Sequence, residues 1–322
     1  MPAIRDIAVA FGETTLSNEE LRSQFPDADI DRLASKTGIF CRRIASDSQS
    51  AADLAITACR ELLGRNPSGG IDGLIYVTQS PEFFLPSTAC ILQDRLGLGK
   101  KTACFDLNLG CSGYVYGLAV ASGLIASRAA SRVLLVTSDT YSKYLDPAHL
   151  QTRILFGDGA SASLLDASSE GIGSFDLYTD GGGASLLRCP TDPLRTPTGG
   201  ASLPNAAGRH NLFMDGAGIF TFTLREVPPS VEAFLRTNDR SFADYDHVVF
   251  HQANQFVIDQ LASRLAIPPE KVVRRYSDIG NTVSTSIPAA IHGAKTVGSD
   301  PKRWLLIGFG VGLSWSLCEI TY

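Results

Sequence analysis

An α/β architecture, with two similarly built halves enclosing a layer of buried helices, is what the sequence predicts. Helix-like and strand-like segments alternate over residues 51–139 and again over 221–315. The alternation repeats at an offset of 169 to 174 residues, pairing Asp72 with Asp246, Leu96 with Leu265, Cys111 with Asn281 and Arg132 with Arg303. The helical segments after Cys111 and after Asn281 are apolar on every side, and such a helix has to be covered on every side.

In the first half, residues 51–64 (AADLAITACRELLG) read as a helix and 71–80 (IDGLIYVTQS) as a buried strand. A helix over 89–98 and a strand over TACFDLN follow, with Cys111 at that strand's end. Next come a Gly- and Ala-rich helix to about 127 and a strand over 132–139. Glycine inside a helix costs about 1 kcal/mol relative to alanine, so Gly113, Gly117 and Gly123 imply close helix contacts.

The second half repeats the series. Residues 221–237 are helical, with Pro228 and Pro229 expected to distort or divide the helix. A strand over 245–254, a helix over 256–267, a path to Asn281, a helix over 285–297 and a strand over 303–315 complete it. The expected halves are 1–168 and 169–322.

Composition narrows the function. With 44% hydrophobic and 19% charged residues the chain has a large core, and a net charge of −5 without a basic run argues against nucleic acid. Arg5 and Asp6 interrupt the opening residues, so no secretory leader is expected. The apolar stretches around 114–136 and 304–317 are broken or too short for membrane insertion. Seven scattered cysteines without C-x-x-C spacing suit free thiols in a cytoplasmic protein.

The duplicated corners bring Cys111 and Asn281 toward one cleft, and His251 ends another strand in FHQAN. A thiol at a helix N-terminus is expected to have a lowered pKa and to accept an acyl group as a thioester. His and Asn side chains can both donate hydrogen bonds to a carbonyl oxygen becoming an enolate. The glycine turn GFGVGLSW can offer a backbone N–H, together with that of Cys111, to an oxyanion.

LGCSG, FGDGA (156–160), HQAN (251–254), GNT (280–282) and GFGVGLSW, with SKTGI (35–39) and RRIA (42–45), resemble the β-ketoacyl-ACP synthase III family of the thiolase superfamily. The resemblance runs in order over essentially the whole chain. It implies a homodimer with a five-layered αβαβα fold, no metal, and no cofactor beyond coenzyme A or phosphopantetheine thioesters as substrates. It also implies a ping-pong reaction. Cys111 takes an acyl group from acyl-CoA or acyl carrier protein, malonyl-ACP decarboxylates, and His251 and Asn281 stabilise the enolate. The oxyanion hole would be the N–H groups of Cys111 and Val311.

At its substrate-contacting positions the chain departs from the member that starts bacterial fatty-acid synthesis. Arg32 and Lys36 stand where a Trp and an Arg hold the CoA adenine, and Leu150 stands where another Arg touches CoA. Phe256 replaces an Arg that docks the carrier protein, and Thr221 a Lys, although Arg264, Arg274 and Arg275 keep positive charge nearby. Leu85 replaces a Phe reaching the partner's acyl pocket, and Phe156 opens FGDGA. A specialised lipid or secondary pathway, with a longer or branched acyl group, is the reading that follows.

Other readings compete at each residue. A cysteine is more often a small buried hydrophobe, and Cys90 and Cys104 keep that reading. Asn281 could cap a helix, and His149, His210, His247 and His292 have ordinary structural roles. GFGVGL lacks the following βαβ unit of a dinucleotide loop, and Leu109 breaks a nucleophile elbow. DGGGAS (180–185) reads as a mobile loop. At the level of function, the rivals are an acyltransferase to an alcohol or amine and a non-catalytic scaffold. A thiolase would need a second cysteine in the last glycine turn, and Cys318 lies beyond it.

Overall fold

Caps and apolar stripes dictate where the elements begin and which way they face. The computed structural model describes residues 1–67, 70–168, 171–189, 211–295 and 300–322. His210, residue 169 at the start of the expected second half, and the end of the helix read to Val297 lie outside them. In chain order run β1 (Pro2–Phe11), β2 (Thr14–Ser17), α1 (Asn18–Gln24), α2 (Ile30–Thr37), β3 (Cys41–Ile44), α3 (Ala51–Arg65), β4 (Gly73–Val77) and α4 (Thr88–Arg95). Then come β5 (Ala103–Leu107), α5 (Gly113–Ala126), β6 (Arg132–Asp139), α6 (Leu150–Arg153), β7 (Gly159–Ala167) and β8 (Ile172–Thr179). β9 (Leu187–Arg188), β10 (Phe213–Met214), α7 (Gly216–Thr237), β11 (His247–Phe250), α8 (Gln255–Arg264), α9 (Ser286–Ala294), β12 (Arg303–Gly310) and β13 (Ser314–Thr321) follow.

Two sheets carry the architecture. The first runs β1-β7-β6-β4-β5 and the second β8-β13-β12-β11. In the first, β4 lies parallel to β5 and β6, while β7 is antiparallel to β6 and β1. The second repeats this strand for strand: β12 parallel to β11, and β13 antiparallel to β12 and β8. Where β5 would have its counterpart, a single parallel bridge joins Val272 to Val248.

α5 packs against β4 and β6 of one sheet and β12 and β13 of the other, while α9 packs on β1, β7 and β11. These two helices form the central layer, with Tyr114, Leu118, Ile287 and Ile291 buried among Val133, Leu135, Trp304 and Leu306. Each fully buried aliphatic side chain contributes about 1.5–3 kcal/mol, which offsets the cost of ordering these helices. α3, started by a Ser50–Asp53 capping box, and α4 cover the outer face of the first sheet. α7 and α8 cover the second. The fold is a five-layered αβαβα sandwich.

Three expectations change. α7 is one continuous helix from Gly216, undivided at Pro228 and Pro229. Its buried face of Phe222, Val227, Val231 and Phe234, and a 2.8 Å hydrogen bond from Trp315 Nε1 to Ser230 Oγ, hold it against the second sheet through the proline pair. Gly113 and Gly117 do admit close neighbours, but from strands: an added Cβ would meet Val77 at 2.5 Å and Leu135 at 2.6 Å. Gly123 faces open space. Cys90 is exposed, because α4 turns Ala89 and Leu92 inward and Cys90 away. The 180–185 segment is anchored at its first residue, where Asp180 and Leu313 exchange two backbone hydrogen bonds of 2.9 Å.

Candidate active site

Cys111 lies between the end of β5 and the start of α5, 5% exposed. The turn joining β12 to β13 packs directly on it. A Cβ on Gly310 would come within 2.8 Å of Cys111 Cβ and 3.0 Å of its Sγ, so only glycine leaves room there. Ser112 Oγ meets Ser314 Oγ at 2.7 Å, and Ser314 Oγ donates to the Val311 carbonyl at 2.8 Å. This arrangement presents the backbone N–H groups of Val311 and of Cys111 itself to the sulfur.

His251 extends β11 by one residue, its N–H donating to the Ile307 carbonyl at 2.7 Å. Asn281 is gripped through its backbone: its N–H donates to Leu155 O at 2.8 Å, and its carbonyl accepts from Gly157 N–H at 3.0 Å. FGDGA therefore serves to seat Asn281. Gly157 is required because a Cβ would fall 1.9 Å from the Ile279 carbonyl oxygen. The Asn281 side chain is oriented by Val283, a β-branched residue at φ +53° whose N–H donates to Asn281 Oδ1 at 3.0 Å. That leaves Asn281 Nδ2 facing His251 Nε2, 3.4 Å away. Both residues are buried, and His251 Nδ1 lies 2.7 Å from Ser286 Oγ.

The electrostatics differ from the expected helix-activated thiolate. Burial, reinforced by the nearby Asp139 carboxylate, pushes the Cys111 thiol up to about 12, against the downward pull of the two N–H groups. Burial also lowers His251 to about 3, so its imidazole is neutral. At neutral pH the resting site holds a thiol and a neutral imidazole. Asp139 accepts from Gln79 N–H at 2.8 Å and from Ser284 N–H at 3.3 Å, and burial raises it to about 7.

Alkylation of resting Cys111 by iodoacetamide is therefore expected to keep accelerating at pH 9–10, past the plateau of an ordinary thiol near about 8.5. Asp139→Asn should shift that profile to lower pH, and coincident profiles would disprove the coupling. Because Asp139 is raised in the fold, the stability it contributes is present below the unfolded carboxyl value of 3.8 and lost as pH rises through about 7. The variant should flatten stability over that window.

An apolar cluster of Tyr141, Leu145, Phe156, Leu187, Leu212 and Val283 surrounds Cys111. Phe156 packs at 5.2 Å from Tyr141, whose hydroxyl donates to Gln79 Oε1 at 2.6 Å. Lys36 and Phe256 also meet, the ammonium 4.6 Å from the ring centroid, and Phe256 stacks on Phe220. Arg32 is exposed one turn earlier on α2. Arg274 and Arg275 are paired with Asp259 and Asp278. Leu85 is 87% exposed and stands apart from the Cys111 cluster of its own chain. Sequence reasoning missed Ser286, Asp139, Gln79 and Tyr141. Their only signals were polar residues at strand ends and helix starts beside the motifs. Among the described residues, no group of three or more His, Cys, Asp or Glu could hold a metal. No described helix is long and apolar enough to cross a membrane.

Residues 105–181 match the family model for 3-oxoacyl-(acyl-carrier-protein) synthase III, and residues 235–322 match that for its C-terminal part. The chain belongs to this synthase III family. It is 35% identical to a β-ketoacyl-(acyl-carrier-protein) synthase III of Streptomyces coelicolor, covering 95% of this chain and 93% of the relative. A Pseudomonas aeruginosa synthase III is 37% identical over 96% of this chain and 93% of its own length. A crystal structure of a 3-oxoacyl-(acyl-carrier-protein) synthase III superposes with a TM-score of 0.93 at 40% identity, covering 100% and 99% of the two chains. The synthase III architecture accounts for the duplicated sheets and the shared corner site, and the enzyme is an acyltransferase of this type.

Proposed function

We propose that Cys111, His251 and Asn281 carry out a decarboxylative Claisen condensation. The Cys111 sulfur attacks the carbonyl of an acyl-CoA or acyl-ACP thioester, and the carrier thiol leaves. Malonyl-ACP then loses CO2, and its thioester oxygen takes the developing negative charge between His251 and Asn281. The resulting carbanion attacks the acyl-Cys111 carbonyl, whose oxygen is received by the N–H groups of Cys111 and Val311, and the Cys111 thiolate leaves. The observation that carries this reading is the pair of buried side-chain nitrogens, Asn281 Nδ2 and His251 Nε2, 3.4 Å apart and able to serve one oxygen together.

The apolar cluster beside Cys111, Phe156 included, supports an acyl pocket. Arg32, Lys36 and Phe256 form the surface we assign to the carrier or coenzyme A. Their divergence supports a specialised pathway in the cytoplasm over the housekeeping starter reaction. A homodimer fits the exposed Phe83, Phe84 and Leu85, and β5 pairs with β4 along only one edge among the described residues. The two halves would divide near residue 168.

Intact-mass analysis after incubation with acyl-CoA and acyl-ACP donors tests the proposal. An acyl-sized gain in the wild type, absent from Cys111→Ala, is expected, and it identifies chain length and carrier together. No gain with any donor would sink the reading.

A further inference from the structure

We infer that Ser286 is a positioning residue that sets which nitrogen of His251 carries the proton, committing the imidazole to donate from Nε2. The inference rests on the reading of His251 and Asn281 as paired donors. Ser286 opens α9, is 0% exposed, and places its Oγ 2.7 Å from His251 Nδ1. The same oxygen accepts from Gln252 N–H at 3.4 Å, and among the described residues it has no other hydrogen-bond partner.

A serine hydroxyl has one proton to donate. With His251 protonated at Nδ1, Oγ would accept from both neighbours, and its own proton would be buried without an acceptor, an arrangement folded proteins avoid. The Ser286 hydroxyl and Nδ1 are both satisfied only when Oγ–H donates to Nδ1. The single ring proton then sits on Nε2.

One contact would suit the other tautomer, since Asn281 Nδ2 lies 3.4 Å from His251 Nε2 and could donate to a bare nitrogen there, but that contact is far longer than the 2.7 Å between Ser286 Oγ and Nδ1. The Gln252 carboxamide is committed elsewhere, donating to Phe250 O at 2.6 Å and accepting from Arg275 N–H at 2.6 Å. Phe309 stands edge-on to the imidazole at 5.5 Å between centroids. Asn281 Oδ1 is held by Val283 N–H, so Nδ2 also presents hydrogens. His251 Nε2 and Asn281 Nδ2 thus have no bond to give each other and share a need for one acceptor, an oxygen seated between them.

The two half-reactions depend on Ser286 differently. With its proton on Nε2, neutral His251 offers no lone pair there to take the Cys111 proton, so acylation is indifferent to Ser286. Enolate formation is not.

The test compares wild type, Ser286→Ala, Ser286→Thr and His251→Ala in the full-length chain. Proton–nitrogen correlation spectra of protein labelled with nitrogen-15 in its five histidines read the tautomer, with His251 assigned by its loss in His251→Ala. The wild type is expected to show a bare Nδ1 and a protonated Nε2. Ser286→Ala should show a mixture, and Ser286→Thr should restore the wild-type pattern. In Ser286→Ala, kcat for malonyl-ACP decarboxylation should fall roughly tenfold to a hundredfold, a part of what one oriented donor supplies, while KM and Cys111 acylation stay within about twofold. A wild-type His251 protonated at Nδ1, or full decarboxylation by Ser286→Ala, overturns the inference. Normal decarboxylation by His251→Ala would overturn the donor-pair reading itself. The two failures stay separable because the wild-type spectrum is read without turnover, and it decides the tautomer even if Ser286→Ala does not fold.

Discussion

Asn281→Ala is expected to lose about 100- to 1,000-fold in malonyl-ACP decarboxylation and in condensation, while Cys111 still takes up an acyl group. The magnitude is that of removing one oriented donor from a dry site where charge develops. Asn281 is 5% exposed, its Oδ1 is occupied by Val283 N–H, and its Nδ2 is aimed at the position shared with His251 Nε2. The alanine variant removes the donor but leaves Cys111 and the N–H groups of Val311 and Cys111 in place. Release of labelled CO2 from malonyl-ACP measures one half-reaction and intact mass the other. Equal losses in both would contradict the division of labour, and a fall in melting temperature would reveal that Val283, held at φ +53°, had lost its anchor.

Gly157→Ala is expected to destabilise the fold by about 3 kcal/mol or more, at the upper end of overpacking costs. The added Cβ would lie 1.9 Å from Ile279 O, 3.1 Å from Ile279 C and 3.2 Å from Arg43 O, all backbone atoms that no rotamer change can clear. The same displacement breaks the bond from Gly157 N–H to the Asn281 carbonyl, so activity should fall along with stability. Gly64→Ala is the matched control. It sits near the end of α3 with nothing within 4 Å, and alanine there should stabilise by roughly 0.5–1 kcal/mol. Thermal melts of the two variants check the pair. Equal midpoints would mean that the 155–157 and 279–281 segments do not pack as described.

How much of the site could be read in advance depends on how its residues are encoded. Cys111 and Asn281 were legible because each stands where an apolar strand or loop gives way to an apolar helix, and the two corners recur at one offset. His251 was legible because it ends a strand. Gly157 and Gly310 were visible as motif glycines, but why each must be glycine was not, since the atoms that exclude a Cβ belong to Ile279 and Cys111. Ser286 stood in plain view within TSIP, yet nothing local distinguishes it from a helix-start serine. Its partner lies 35 residues away, on another strand end. The proline pair in α7 misled because local propensity was weighed without the aromatic face that packs over it.

From the sequence alone came the order of helices and strands over residues 51–139 and 221–315, the duplication, the central apolar helices and the candidate nucleophile. These are written in periodicity and in residue type, which act between near neighbours. The tertiary structure alone decided the protonation states. Helix position argued for a lowered thiol pKa, but burial and a carboxylate from β6 push Cys111 up to about 12, and burial keeps His251 neutral. Desolvation and the Coulomb field depend on what surrounds a group in space, and those surroundings are assembled from β6, β11, α9 and the β12–β13 turn, which no local stretch of sequence contains.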